Sequence, residues 1–233
     1  WKAYNLSEFK KIIDELLKIG KHPFLLGGSL LGYARQGDLL DNDDDLNFAL
    51  FENEYDNNVD KIIAKLGYKK KVHKGIPVDK GIQLTINKGN SQNNTDVEID
   101  IPIVKKRDNG FFEFTKFTSH GETYRYIPFD LELKNIWGMS IYIPVQYKRL
   151  LSEKYGNWIN PNPDFKYPEE SPAYVKENYT NLEAAQLWAK TNLDEKIKNK
   201  KESASGSGSS LEATKKTIEL IKYTIKRYNI KSI

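Results

Sequence analysis

Residues 41–50, Asp-Asn-Asp-Asp-Asp-Leu-Asn-Phe-Ala-Leu, pass from an acidic loop into a strand pattern. Strand alternation places Asp43, Asp45 and Asn47 on one face and Leu46, Phe48 and Leu50 on the other. A second stretch repeats the pattern, with Asp96, Glu98 and Asp100 opposite Val97, Ile99, Ile101 and Ile103. On neighbouring strands, facing side chains lie within ~4.5–5.5 Å, where like charges repel unless a proton or a cation intervenes. A hard divalent cation such as Mg²⁺ suits oxygen ligands of this kind. Either cluster alone reads as an exposed sheet face or as turn caps; two in one sheet point to a shared site.

Upstream, Gly27-Gly28-Ser29 sits between a short apolar run and a helical pattern. Glycines let the backbone approach a phosphate, and a helix N-terminus offers unpaired N–H groups and a favourable dipole. The alternative is a plain tight turn with Ser29 as N-cap. A phosphate-cradling turn followed about fifteen residues later by a metal-binding strand would bring nucleotide phosphates and cation together, as phosphoryl transfer requires. The turn lacks the Lys of a Walker P-loop, and no Ser/His/Asp arrangement is evident. His22, His73 and His120 show no metal-ligand spacing; His120, beside Gly121, is a candidate phosphate contact at a site rim weighed against an ordinary loop residue. Trp137 and Trp158 are the candidate aromatic platforms for a sugar or choline-like group.

Alternating helices and strands must position these residues. Phe9, Ile12, Ile13, Leu16 and Leu17 predict a helix with Ser7 as N-cap and Gly20 as its stop. Strands are expected at 22–26, 39–50, 81–87 and 96–104, and helices at 29–35 and 56–66. This is an α+β pattern: a mixed sheet flanked by helices. Residues 111–143 predict short strands or a hairpin, Pro144 a helix start, and 145–155 a helix closed by Gly156. Residues 160–172, with four prolines, predict an irregular loop. Helical patterns recur at 181–201 and 211–228, the latter striped by Ile218, Ile221 and Ile225.

The 233 residues suggest one core with an appended segment, divided as a catalytic domain at 1–165, a loop and helical extension at 166–202, a Ser/Gly linker at 203–210 and a C-terminal helix at 211–233. The linker, purely Ser, Ala and Gly, has the composition of an engineered tract. At 39% apolar and 29% charged residues the chain is expected to be globular and soluble, and without Cys it can have no disulfide, thiolate metal site or Cys nucleophile. The net charge of +4 is unevenly spread: residues 190–233 hold 11 Lys/Arg against 5 Asp/Glu, leaving 25 against 27 elsewhere. A core without a basic surplus argues against nucleic acid as a partner. The basic tail reads as a solvated helix face, or as a contact with an anionic membrane surface.

The motifs at 27–35 (Gly-Gly-Ser-Leu-Leu-Gly-Tyr-Ala-Arg), 43–47 and 97–101 resemble the LicD/fukutin family of phosphotransferases, which has a nucleotidyltransferase-like fold. Ile143-Pro144, Tyr147, Leu150-Leu151 and Lys154-Tyr155-Gly156-Asn157-Trp158 are similar to that family's closing motif, so the resemblance covers about residues 8–165. It implies transfer of a phospho-alcohol, such as ribitol phosphate, glycerol phosphate or phosphocholine, from a CDP-linked donor to a glycan or lipid-linked glycan hydroxyl. CMP is released, and the expected setting is capsule, teichoic acid or lipopolysaccharide assembly. It further implies catalytic roles for Asp43, Asp45 and Asp100, contact of the donor phosphates with Gly27, Gly28, Ser29 and Arg35, and Mg²⁺ or Mn²⁺ held by Asp43, Asp45, Asn47 and Asp100. Arg35 is open to a second role, bracing the acidic loop. The expected location is the cytoplasm, at the inner face of the membrane if the tail engages it, alone or within a larger multidomain enzyme.

The chain departs from the family at Asn47, where Asp is usual. An amide offers one carbonyl oxygen but removes a charge, which weakens Mg²⁺ binding. The change is either natural, with Asp43 and Asp45 sufficing, or inactivating. Three other readings stay open: a nucleotide-sugar glycosyltransferase with an Asp-x-Asp motif, a nucleotidylyltransferase, and a catalytically impaired donor-binding module.

Overall fold

The computed structural model describes residues 2–41, 43, 45–71, 83–89, 96–108, 110–116, 122–166 and 169–175. The chain divides into two compact units, Trp1–Lys71 with Val78–Asn178 and Val72–Pro77 with Tyr179–Ile233. The second unit lies wholly outside the described residues, and with it the expected helices at 181–201 and 211–228 and the linker at 203–210.

In the first unit the chain runs α1 (Lys2–Lys18), β1 (Phe24–Leu25), α2 (Gly27–Gln36), β2 (Leu46–Phe51), α3 (Asn57–Lys65), β3 (Lys69–Lys71), β4 (Gln83–Gly89), β5 (Asp96–Lys106), β6 (Phe112–Lys116), β7 (Glu122–Tyr126), β8 (Leu131–Ile136), β9 (Met139–Pro144), α4 (Tyr147–Tyr155) and β10 (Tyr174–Val175). The strands form one mixed sheet in the order β10-β7-β6-β5-β2-β1-β9-β8, with β4 also pairing β5 and β3 pairing β4. Only β2·β5 and β1·β9 are parallel among these pairings. This is the expected α+β architecture of a mixed sheet flanked by helices.

The sheet's two faces bury different clusters. Leu46, Phe48 and Leu50 of β2 and Val97, Ile99, Ile101 and Ile103 of β5 pack with Phe9, Ile12, Ile13 and Leu16 of α1. The opposite positions Ala49 and Val104 join Phe112, Phe114, Tyr124, Tyr126 and Phe129 in a second, aromatic cluster. Asn47 and Asp100 share that second face by strand periodicity, beyond the end of the aromatic cluster.

Several boundaries differ from those expected, each for a visible reason. The first helix starts at Lys2, so Ser7 is an exposed interior residue and not a cap. Its buried stripe continues through Asn5 and Glu8, which carry no hydrophobic signal; Glu8 is buried because Lys11 and Lys88 pair with it. The strand expected at 39–50 begins only at Leu46. Lys2 Nζ and Gln36 Nε2 bind the Leu39 carbonyl, and the 38–40 backbone lies so close to Gly32 that a Cβ there would meet Asp38 O at 2.5 Å. Those residues therefore pack as a loop against α2. Pro144 closes β9 rather than opening a helix, and α4 starts at Tyr147. Asp56 caps α3, accepting from the N–H groups of Asn58 and Val59. Among the described residues no helix is long and apolar enough to cross a membrane.

Candidate active site

The parallel pairing of β2 with β5 sets Asn47 directly beside Asp100. Both side chains are buried, each 8% exposed. On the other flank β4 pairs Thr85 with Asp100, and the Asp100 carboxylate accepts hydrogen bonds from the Thr85 hydroxyl and the Gln83 amide. Burial nevertheless dominates, pushing the Asp100 carboxyl up to about 6; the Thr85 hydrogen bond and Lys116 oppose the rise, while Asp45 and Glu98 add to it.

Two glycines let the acidic loop sit on the N-terminus of α2. Gly27, at φ +66°, opens the helix; a Cβ there would lie 2.9 Å from Asn47 Oδ1, and one at Gly28 would lie 2.2 Å from Asp43 Oδ2. A carboxylate is favourable at that end of a helix because of the helix dipole. Ser29 is 1% exposed and stitches α2 to β2: its Oγ accepts the Asn47 N–H at 2.8 Å, and its own N–H donates to Asn47 Oδ1 at 3.3 Å. The helix is capped by the backbone of Leu26 without a side-chain bond, so Ser29 is not its N-cap. With Oδ1 turned to Ser29, the Asn47 amide nitrogen donates to Asp45 Oδ2 at 2.9 Å.

These residues line a cavity of 310 Å³ formed by Gly27, Gly28, Asp43, Asp45, Asn47, Gln83, Asp100, Pro102, Lys116, Lys154, Tyr155 and Phe165. Six of the eight residues to which the family resemblance gives catalytic, phosphate or metal roles thus share one cavity. Ser29 lies behind it as a brace. Arg35 lines a separate cavity of 290 Å³ with Gln36, Leu40, Asp41, Asp43 and Pro161, and its guanidinium donates to the Trp158 carbonyl. Asp43 faces both cavities. Asp96 is exposed and Glu98 half-buried, and neither lines the cavity.

Lys116, Lys154, Tyr155, Gln83, Pro102 and Phe165 were not singled out as site residues from the sequence. Lys154 and Tyr155 belong to the closing motif, which was a usable signal; nothing local marks Lys116 or Gln83. Lys154 is half-buried, with its ammonium 5.5 Å from the Tyr124 ring centroid and 5.4 Å from that of Tyr155. Burial first, and Lys116 second, push its pKa down to about 8, while Asp45, Asp100 and Asp43 pull it back up. Burial and the charges of Asp43 and Asp45 raise the Tyr155 phenol. Trp158 is 9% exposed and packs into the core, leaving no open face for a sugar. Trp137 sits at φ 50° with its indole N–H on the Gly37 carbonyl, edge-on to Tyr33. His22 pairs with Glu54. His73, His120 and Asp44 lie outside the described residues.

Among the described residues no group of three or more His, Cys, Asp or Glu is arranged to hold a metal ion. The donor set decides what kind of ion fits. Asn47 presents an N–H to Asp45, so a cation bridging those two residues does not fit. Asp43 and Asp45 do fit an ion that keeps several waters and takes its other ligands from substrate phosphates, the habit of Mg²⁺.

Residues 21–146, more than half of the chain, match the family described as LicD/FKTN/FKRP, nucleotidyltransferase domain. Among solved structures, the chain is similar to the lincomycin-bound lincosamide antibiotic adenylyltransferase LnuA, with 17% sequence identity and a TM-score of 0.42, over 62% of this chain and 83% of that one. No curated protein matches the chain.

Proposed function

Because the chain belongs to the LicD/FKTN/FKRP family, we propose that it is a phosphotransferase that moves a phospho-alcohol from a CDP-linked donor to a glycan hydroxyl. The observation that carries this is the register Asn47↔Asp100, which joins the acidic loop, the Gly27-Gly28 helix start and a third-strand carboxylate in one cavity. Such a site handles a diphosphate and a hydroxyl together: the positive end of the α2 dipole lies beside the phosphates while a buried carboxylate faces the attacking group.

In this reading the acceptor hydroxyl attacks the phosphorus that carries the alcohol. The new P–O bond forms as the bond from that phosphorus to the oxygen bridging to CMP breaks, and CMP leaves with the electron pair. Asp100 takes the hydroxyl proton, held in place by Thr85 and Gln83. Gly27 and Gly28 let Asn47 and Asp43 close onto the start of α2, and Ser29 fixes the helix to β2, so that the acidic loop and the helix start are preset beside the cavity. Asp43 and Asp45 would hold Mg²⁺ or Mn²⁺, which when bound neutralises charge on the diphosphate. Arg35 acts by anchoring the Trp158 carbonyl and, with it, the chain that leaves α4.

The same cavity would suit nucleotidylyl transfer, in which attack falls on the phosphorus bearing the nucleoside. The leaving group separates the two. Incubation with CDP-ribitol, CDP-glycerol, CDP-choline, UDP-glucose or ATP and a glycan acceptor, followed by chromatography, is expected to release CMP from one CDP-alcohol. Release of pyrophosphate from ATP, or of UDP from UDP-glucose, would overturn the proposal. Parallel assays of Asn47→Asp, which restores the residue usual in the family, are expected to raise CMP release at least tenfold if the amide limits metal use.

A further inference from the structure

The cavity holds two cations that the scheme above leaves unused. Lys116 ends β6 and Lys154 lies in the last turn of α4, so two elements far apart in sequence each deliver an ammonium to the same space. Lys116 lowers the Lys154 pKa as a like charge, and Lys154 itself is half-buried. Like charges in one half-buried cavity repel, and groups of opposite sign, the cavity's own carboxylates or an entering anion, offset that repulsion. Lys154 is also positioned, with its ammonium over the faces of Tyr124 and Tyr155. The same cavity holds Asp43, Asp45 and Asp100, which favour the charged form of Lys154, but position 47 adds no charge, and its amide already donates to Asp45. Three carboxylates facing two ammonium groups leave less need for a divalent cation than four carboxylates would.

Resting on the reading above for the donor's identity alone, we infer that Lys116 and Lys154 are the fixed cations that receive the substrate's phosphate groups, so that part of the polyphosphate affinity needs no divalent metal. An ammonium makes strong charge-assisted hydrogen bonds to phosphate as a point charge. Because both lysines line the cavity that Gly27 and Gly28 also border, one diphosphate bound there would engage both of them.

Calorimetric titration of the full chain with inorganic pyrophosphate in EDTA tests this, on wild type, Lys116→Met, Lys154→Met and the control Lys148→Met. Lys148 is exposed on the same helix as Lys154 and does not line the cavity, so its loss changes the net charge equally. Wild type and Lys148→Met are expected to bind pyrophosphate alike, and each cavity variant at least tenfold more weakly. Thermal melts establish that the variants are folded, and Lys116→Met, at a strand end, carries the test if Lys154→Met does not fold. No pyrophosphate binding by wild type in EDTA, or binding by the cavity variants within twofold of wild type, would overturn the inference. The same titrations with CDP, UDP and ADP separate it from the proposed donor. Equal affinity for all three, with the lysine effect on pyrophosphate intact, would count against the CDP reading and for the lysines.

Discussion

At the scale of single residues the site is governed by how few of its polar atoms are left to water. Asn47 spends its carbonyl on Ser29 and its amide nitrogen on Asp45. Asn47→Asp replaces that donor with a second carboxylate facing Asp45, so the variant is expected to melt roughly 3–10 °C below wild type in EDTA, for a cost of about 1–3 kcal/mol. Added Mg²⁺ should recover more of the loss in the variant than it adds to wild type, which differential scanning calorimetry reads directly. Asp100 gives a pH signature of the metal-free protein. Its native carboxyl holds a proton up to about pH 6, above the unfolded value of 3.8. Between those values the native state therefore binds the extra proton, and stability from this group falls as pH rises through the window. Asp100→Asn is accordingly expected to melt roughly 3–6 °C above wild type at pH 7.5, with the difference vanishing near pH 4.

Part of this arrangement is legible from local pattern: the acidic run at 43–45, Asn47, Asp100 and the glycine pair need only a few consecutive residues to be seen, although Asp43 and Asp45 precede β2 and the alternation also marks Asp96 and Glu98, which do not line the cavity. What local pattern could not supply was which partners the side chains choose. Ser29 faces inward because Asn47 lies behind it. Arg35 turns to the Trp158 carbonyl, 123 positions away, and not to the acidic cavity. Lys116 enters the site only through the path of β6, which no short window encodes.

At the scale of elements, periodicity marked the helices well and their ends poorly. The α3 expectation of 56–66 was nearly right because Asp56 is a true cap, binding two backbone N–H groups as well as Lys21. Asp56→Ala is expected to cost about 1–2 kcal/mol in urea unfolding. The N-terminal part of α1 is poorly marked because Glu8 is a buried charge neutralised by lysines on α1 and β4, an arrangement that has no hydrophobic signature. Leu39 and Leu40 carry a strand-like apolar signal in the loop preceding β2 because they pack on α2. The parallel β2·β5 register is the element-level fact on which the site depends, since a shift of one residue would turn Asn47 or Asp100 to the opposite face.

At the scale of the whole molecule, the family match ends at residue 146 but the structural unit continues to Asn178. Helix α4 adds Leu150 and Leu151, each 1% exposed, and brings Lys154 and Tyr155 to the cavity. Losing two buried leucines at about 2–5 kcal/mol each approaches the whole stability of an ordinary domain. A chain ended after residue 146 is therefore expected to show no cooperative melt by circular dichroism. Sheet order was not legible from the sequence, because it depends on pairings between strands as distant as β1 and β9. The expected mixed sheet flanked by helices was, because alternating helix and strand patterns constrain the layers more than the connections.

The proposed function requires a cavity that accepts a cytidine diphosphate joined to an alcohol. Calorimetric titration of the full chain with CDP-ribitol, CDP-glycerol, CDP-choline, UDP-glucose and ATP, each with and without Mg²⁺, tests it most directly. One CDP-alcohol is expected to bind at least tenfold more tightly than UDP-glucose and ATP, and more tightly still with Mg²⁺; tighter binding of UDP-glucose or ATP, or no binding of any CDP-alcohol, would contradict it.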